Sequence, residues 1–476
     1  MAKGATNPWV VLVLICFAQF MVILDATIVN VALPSIQKDL HLSEGNLQWI
    51  VNAYTLVFGG FLLLGGRAGD ILGRKRLFLF GLVVFTVASL LNGLANSEGV
   101  LIGGRALQGL GAAFISPAAL AIISTTFNEG AERAKALGVW AAIAIGGSAF
   151  GLIVGGTLTE LLSWPWIFFI NVPIGIAVFV LSLRLIPESK DETAHGGFDV
   201  AGAVTATGGL MLLVYAIVQA HEKGWLSVST LGFFAVSAGL LFAFVLIEQR
   251  AKEPLVRLNI FRIRSLTAAN VVMLLVASGI FAMFFFNSLY IQEVLGFGPL
   301  KAGLAFLPFT AGIMVSAGLA SKFSPIVGVR PVAIAGLVIS ALGMLLLTRV
   351  PAEGSYPVDM LPALIITSLG MGAVFVPLTL IATTGLKNED QGLASGLFNT
   401  SQQIGGALGL AILSTISASR AAASSGTHAE TLVAGFHWAF AGAAVFVVAG
   451  LVLLLALLRK EDVAQISTEA APVPIG

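Results

Sequence analysis

Apolar residues run almost unbroken for about twenty positions at a time, and polar residues gather in the short gaps between the runs. A helix needs about 20 apolar residues to cross the hydrocarbon core of a bilayer. Fourteen stretches meet that length, near 10–34, 47–65, 77–95, 100–126, 136–158, 166–186, 200–220, 230–248, 266–293, 302–321, 328–348, 360–385, 392–418 and 434–458. The pattern predicts an all-α membrane protein with fourteen transmembrane helices. The first run is too long for a signal-peptide core and is followed by many like it, so it reads as a permanent helix.

Composition strengthens this picture. Of 476 residues, 57% are hydrophobic and 10% are charged, where a soluble protein carries roughly 25% charged residues. Lipid must therefore solvate most of the exterior. The 54 glycines suit helices that pack backbone to backbone. A net charge of +1 without a long basic run gives no sign of nucleic acid. The single cysteine, Cys16, rules out an intramolecular disulfide and sits in an apolar run as a small packing residue.

Charge sets the expected orientation. With the N-terminus inside, Arg67, Arg74, Lys75, Arg76 and most other bases fall in cytoplasmic loops, and Lys38, Lys223, Lys301, Arg349 and Arg420 fall outside. Both termini are then cytoplasmic.

The chain also repeats. "ALGVWAAIAIGGSAFGL" from Ala136 aligns with "ASGLFNTSQQIGGALGL" from Ala394, and Gly73 falls opposite Gly328. Phe114 and Pro117 sit near-opposite Phe375 and Pro377. Spans one to six thus match spans nine to fourteen, with two extra helices between, which is a transporter arrangement with its site between the halves. The expected domains are 1–186, a six-helix bundle; 187–265, a linker with two helices; 266–460, a second bundle; and 461–476, a loose cytoplasmic tail.

Two charges stand inside spans. Asp25 is the acid well within span one, where a charge costs about 2.5–3.5 kcal/mol on insertion scales. It must face a wet cavity, pair with a cation or take a proton. Arg105 lies about 8 Å from the outer end of span four, and Asp25 about 13 Å from the same face. The two could share a cavity. Each has a plainer reading: Asp25 as a structural hydrogen-bonder, and Arg105 as a static ion pair or a packing anchor with Gln108.

Four motifs carry a family resemblance over nearly the whole length. They are "ILDATIVNVALP" (Ile23 to Pro34), "GGRAGDILGRKR" (Gly65 to Arg76), "GRALQGLGAA" (Gly104 to Ala113) and "WPWIFFINVPIG" (Trp164 to Gly175). The chain resembles the fourteen-helix drug:proton antiporters of the major facilitator superfamily. The resemblance implies that Asp25 is the protonation site and that Arg105 takes part in proton coupling. It implies a conformational gate at Gly66, Asp70, Gly73, Arg74 and Lys75, with Asp70 facing a helix N-terminus and local arginines. The helix-five motif of the antiporters is represented by Gly147, Gly151, Gly155 and Gly156, with Leu152 where the family has proline. In span six, Trp164-Pro165-Trp166 replaces a Trp-Arg-Trp.

Polar and aromatic positions inside spans suit an adaptable cavity for lipophilic substrates: Gln19, Asn30, Gln108, Asn287, Tyr290, Phe375, Asn399 and Gln402. A phenylalanine in a span can equally face lipid or core. No Walker A loop and no Cys/His cluster occur, so neither direct ATP drive nor a metal or other cofactor is expected, and no enzyme is expected. The expected function is proton-coupled efflux of lipophilic neutral or monocationic drugs by a monomer in the bacterial inner membrane, with protons, small substrates and lipid as its partners. A flippase or exporter of amphiphilic metabolites is the alternative, and a nutrient symporter is a more distant one.

Overall fold

The structure is a computed structural model that describes residues 7–127, 131–189, 199–251, 254–383 and 388–459. The expected tail 461–476 lies outside them, as does most of the polar stretch after residue 189. Every regular element among the described residues is helical. The long helices are α1 (Pro8–Leu40), α2 (Trp49–Leu72), α3 (Arg74–Gly93), α4 (Glu98–Thr126), α5 (Ala131–Leu161), α6 (Asn171–Leu185) and α7 (Val200–Lys223). They continue as α8 (Val228–Arg250), α9 (Arg264–Leu289), α10 (Leu307–Val327), α11 (Val329–Leu347), α12 (Leu361–Thr383), α13 (Asn388–Ala423) and α14 (His428–Leu457). Thirteen membrane-spanning candidates meet the length and hydropathy of a bilayer crossing among the described residues. The fourteenth expected span, 136–158, lies within α5, a 31-residue helix. The protein is a multi-pass membrane protein.

The chain divides into two compact units. One comprises Met1–Leu213, Phe233–Leu255 and Gly298–Leu304; the other comprises Val214–Gly232, Val256–Phe297 and Ala305–Gly476. Helices α7 and α8 are therefore each divided between the two.

Within the first unit α1 packs on α4, α5 and α6, α2 and α3 pack on α4, and α3 packs on α6. Within the second, α9 packs on α12, α13 and α14, α10 and α11 pack on α12, and α11 packs on α14. The same pairs recur in the same order, as the sequence repeat requires. The backbone repeats in detail too. Gly73 joins α2 to α3 at φ 107°, and Gly328 joins α10 to α11 at φ 92°. A residue with a Cβ rarely adopts that conformation, so the matched glycines mark the same tight reversal in both units.

Candidate functional site: a buried charge network in the first unit

Three helices must converge closely for Arg105 to reach Asp25, and glycines on α4 make this possible. A Cβ on Gly109 would lie 2.4 Å from the backbone oxygen of Tyr54 on α2, and one on Gly104 would lie 2.0 Å from Oδ1 of Asn92 on α3. The approach at Gly109 is to backbone and tolerates no side chain, whereas one at Gly104 would displace the Asn92 amide. The motif "GRALQGLGAA" is thus legible as a packing surface: its glycines draw α2 and α3 inward, and its polar residues fill the space between them and α1.

At that junction the Arg105 guanidinium donates through Nη1 to Asp25 Oδ2 at 2.5 Å. Nη1 also donates to Gln108 Oε1 at 2.8 Å, and Nε to the Ile50 carbonyl at 2.9 Å. Gln108 Nε2 donates to Asp25 Oδ1 at 2.6 Å and reaches Ser89 Oγ at 2.8 Å. Asn92 Nδ2 donates to Gln108 Oε1 at 2.7 Å. Asn171, the first residue of α6, donates through Nδ2 to Asp25 Oδ1 at 3.0 Å. The guanidinium carbon stands 4.3 Å from the centre of the Tyr54 ring, within cation–π range.

Asp25 is 0% exposed and Arg105 1%. A charge pair so deeply enclosed is stable only when its remaining lone pairs and protons are satisfied, and here the carboxylate accepts from three side chains on two other helices. Sequence reasoning placed Asp25 and Arg105 together but missed Asn171, Tyr54, Ser89 and Asn92. Their signal was present as polar residues within otherwise apolar spans.

The helix-five glycines have a definable job. A Cβ on Gly147 would meet Phe20 and Ile23, one on Gly151 would meet Thr27 at 2.1 Å, and one on Gly155 would meet Ile28 at 2.6 Å, all on α1. Gly156 instead opposes the backbone of Pro299 and Leu300, and the carbonyl of Leu152 would meet a Cβ on Gly303 at 2.2 Å. Helix α5 runs unbroken past Leu152, where proline would remove a backbone hydrogen bond. Near the C-terminal end of α5, Glu160 Oε2 accepts from the backbone N–H of Leu300 at 2.8 Å.

The loop between α2 and α3 pairs Asp70 with a local arginine, as the resemblance implied, and adds a partner that the sequence reading did not name. Asp70 accepts from Arg74 at 2.9 Å, one helical turn along. The start of α3 is taken by Glu188, from a segment read in the sequence only as linker: its Oε1 accepts from the Lys75 backbone N–H at 3.1 Å. The Arg74 backbone N–H donates to Ser189 at 2.8 Å, and Lys75 Nζ donates to the Leu183 carbonyl at 2.8 Å. Arg76 stands 3.6 Å from Glu188. Gly73 lies against the Glu188 carboxyl, and a Cβ on Gly66 would stand 3.8 Å from Pro117, an ordinary contact. The stretch from Leu183 to Ser189 therefore clasps the loop between α2 and α3 within its own unit.

The expected cavity residues divide between the two units. In the first, Gln19 is buried, Gln108 is spent on the charge network, and Asn30 bonds to its own helix at Ala26 and Thr27. In the second, Asn287 and Tyr290 are both 0% exposed. The Tyr290 hydroxyl donates to the Pro351 carbonyl at 2.7 Å. Gln108, Asn287 and Tyr290 thus present no open surface in this arrangement. Asn399 is exposed, while Phe375 and Gln402 are half-buried.

Residues 15–410 match the Major Facilitator Superfamily. The chain belongs to that superfamily. It is 40% identical to the puromycin resistance protein of Streptomyces alboniger, covering 94% of this chain and 90% of that one. It is 41% identical to the cephamycin export protein of Amycolatopsis lactamdurans, covering 93% and 91%. Among solved structures, a bacterial homologue of the human lysosomal transporter Spinster superposes with TM-score 0.66 over 100% of both chains at 15% identity, a likeness of fold. Superfamily membership makes the protein a transporter and not an enzyme.

Proposed function

We propose that this protein exports lipophilic neutral or monocationic antibiotics in exchange for protons across the bacterial inner membrane, as a monomer with both termini cytoplasmic and without a cofactor. The observation that carries the reading is the enclosed Asp25–Arg105 pair held by Gln108 and Asn171. Asp25 is the proton site. Arg105 competes with the proton for the carboxylate, so a small separation of the two transfers Asp25 from ion pair to protonated acid. Resistance and export in the relatives of S. alboniger and A. lactamdurans favour drug efflux over nutrient uptake. Inverted vesicles test it: puromycin or a cephamycin added to energised vesicles should release protons from the lumen. Lipid movement without drug-linked proton release would replace this reading with a flippase.

The loop of Gly66, Asp70, Gly73, Arg74 and Lys75 serves as a gate whose rearrangement limits turnover. Asp70→Asn, or a bulky residue at Gly73, should slow exchange several-fold while leaving drug affinity within about twofold, because neither residue belongs to the buried network or to the proposed cavity. Gly73 has the firmer physical basis, since its φ of 107° strains any residue with a Cβ and a side chain there would also displace the Glu188 carboxyl. Equilibrium drug binding and exchange rate, measured on the same preparation, check the split.

Substrate contacts in this reading come from Gln19 and Asn30 in the first unit and from Phe375, Asn399 and Gln402 in the second, whereas Gln108, Asn287 and Tyr290 are enclosed. A bound cation needs an anionic partner to offset its desolvation. Asp25 is the acid at depth, and aromatic faces add only about 0.5–2 kcal/mol each. Matched mono- and dicationic biocides should therefore differ, with inhibitory concentrations raised more for the monocation in a pump-deficient host expressing this chain.

A further inference from the structure

We propose that Asn171 is the positioning residue that holds Asp25 in both of its protonation states by turning over its side-chain amide; this rests on the reading of Asp25 as the proton site. Asn171 is fully buried and donates through Nδ2 to Asp25 Oδ1 at 3.0 Å. Its own Oδ1 is buried and has no hydrogen-bond partner among the described residues. A buried carbonyl left without a donor is costly, and an isolated structural asparagine would gain nothing by it. Beside a carboxyl that changes state, the same asymmetry has a use.

A carboxylate only accepts, so it takes the amide N–H; a carboxylic acid carries one O–H and donates. When a proton from the aqueous phase bonds to Asp25 Oδ1, the two donors there oppose each other. A half-turn of the Asn171 amide about its last side-chain bond brings its oxygen round to accept the new O–H. Other donors to the carboxylate cannot serve both states in this way. Arg105 has no acceptor, and Gln108 is fixed at both ends, its Nε2 shared with Ser89 and its Oε1 accepting from Arg105 and Asn92. Arg105 keeps Gln108 Oε1, the Ile50 carbonyl and the Tyr54 ring when Asp25 is neutral.

The backbone explains why the asparagine stands here. Pro173 lacks an N–H and its ring crowds the carbonyl four residues back, so the helical turn Trp166–Phe169 stops and α6 begins afresh at Asn171. The side chain is thereby carried on the first turn of α6, which ends at Leu185 shortly before Glu188 reaches the loop between α2 and α3. A change in the Asp25–Asn171 bond is a change at one end of α6, whose other end clasps the proposed gate.

The charged or titratable groups that face Asp25 are Arg105 from α4 and Tyr54 from α2; α3, α5 and α6 bring none to it among the described residues. A pH titration is accordingly simple to read. The probe is the carboxylic C=O stretch in infrared difference spectra of purified full-length protein, wild type minus Asp25→Asn, followed from about pH 4 to about pH 10. In wild type, a carboxyl band absent from Asp25→Asn should titrate. In protein carrying ¹³C-labelled asparagine side chains, an amide band should shift with the same midpoint. Asn171→Leu, which keeps the volume and removes the donor, should move the Asp25 midpoint upward by about one pH unit. Asn171→Ser, too short to reach but smaller and polar, should move it the same way, which guards against poor folding of the leucine variant. Absence of any titrating Asp25 band would overturn the proton-site reading itself. A titrating band whose midpoint is unmoved in either variant, with no coincident asparagine shift, would overturn the role of Asn171 alone.

Discussion

Asp25→Asn should abolish drug-linked proton movement in proteoliposomes while the protein still inserts and elutes as a single species. Asparagine has the shape of aspartate and keeps one oxygen able to accept from Arg105 or Gln108, so the packing of α1, α4 and α6 changes little. What it loses is a group that can exist as anion or acid. An exchanger without its titrating carboxyl can still bind substrate and can pass it down a gradient. It can no longer tie that movement to protons, because the substituted amide has no proton to trade. The expected result is drug equilibration without concentration, with proton release at the level of empty liposomes. If coupling persists in this variant, Asp25 is a structural hydrogen-bonder and the proton travels elsewhere.

The fold was legible because lipid imposes a simple code. A span of apolar residues has one reading at that length, and loop charges fix the register, so errors in span ends hardly matter. The span ends differ most at α2, which runs to Leu72 from an expected end near 65, and nearly as much at α1, which continues through Pro34 to Leu40 where the apolar run suggested an end. A proline in a long helix removes one hydrogen bond without forcing the chain to stop when neighbouring packing holds both sides. The charge pair was legible for a related reason: two isolated charges in lipid must be satisfied, and each was the other's nearest remedy.

Apart from Gln108, the partners of that pair were not legible. Asn171, Ser89 and Asn92 are uncharged, and an amide or hydroxyl within a span can bond to its own helix's carbonyls, so its presence singles out no role. Their convergence depends on glycine contacts such as Gly109 on Tyr54, which are properties of three helices at once and of no single stretch of sequence. Glu188 was hidden differently. It follows the last apolar residue of a span, where an acid ordinarily faces water, and only the fold returns it to the start of α3. The polar residues expected to line a cavity show the converse problem. Periodicity identifies a buried polar position, but Tyr290 finds its partner in the Pro351 carbonyl and needs no substrate to satisfy it.

Arg105→Leu should be among the most destabilising single changes in the protein, and Asp25→Asn placed on top of it should restore part of the loss. Removing one partner of a buried ion pair costs about 3–5 kcal/mol, since the remaining charge is enclosed without compensation. Arg105 is 1% exposed and also ties down the Ile50 carbonyl and Gln108, so its loss opens the junction of α1, α2 and α4 at several points. In the double variant no charge is left inside, and Gln108 and Asn171 can still bond to the asparagine at position 25. Its thermal unfolding midpoint in detergent should lie clearly above that of Arg105→Leu. Stability alone would not separate a working pair from a static one, because both readings predict this rescue. Transport does separate them. A static pair replaced by two neutral, well-packed residues should regain coupling along with stability, as buried ion pairs replaced by neutral groups often cost little. A pair that trades a proton should regain only the stability, and the double variant should remain as uncoupled as Asp25→Asn.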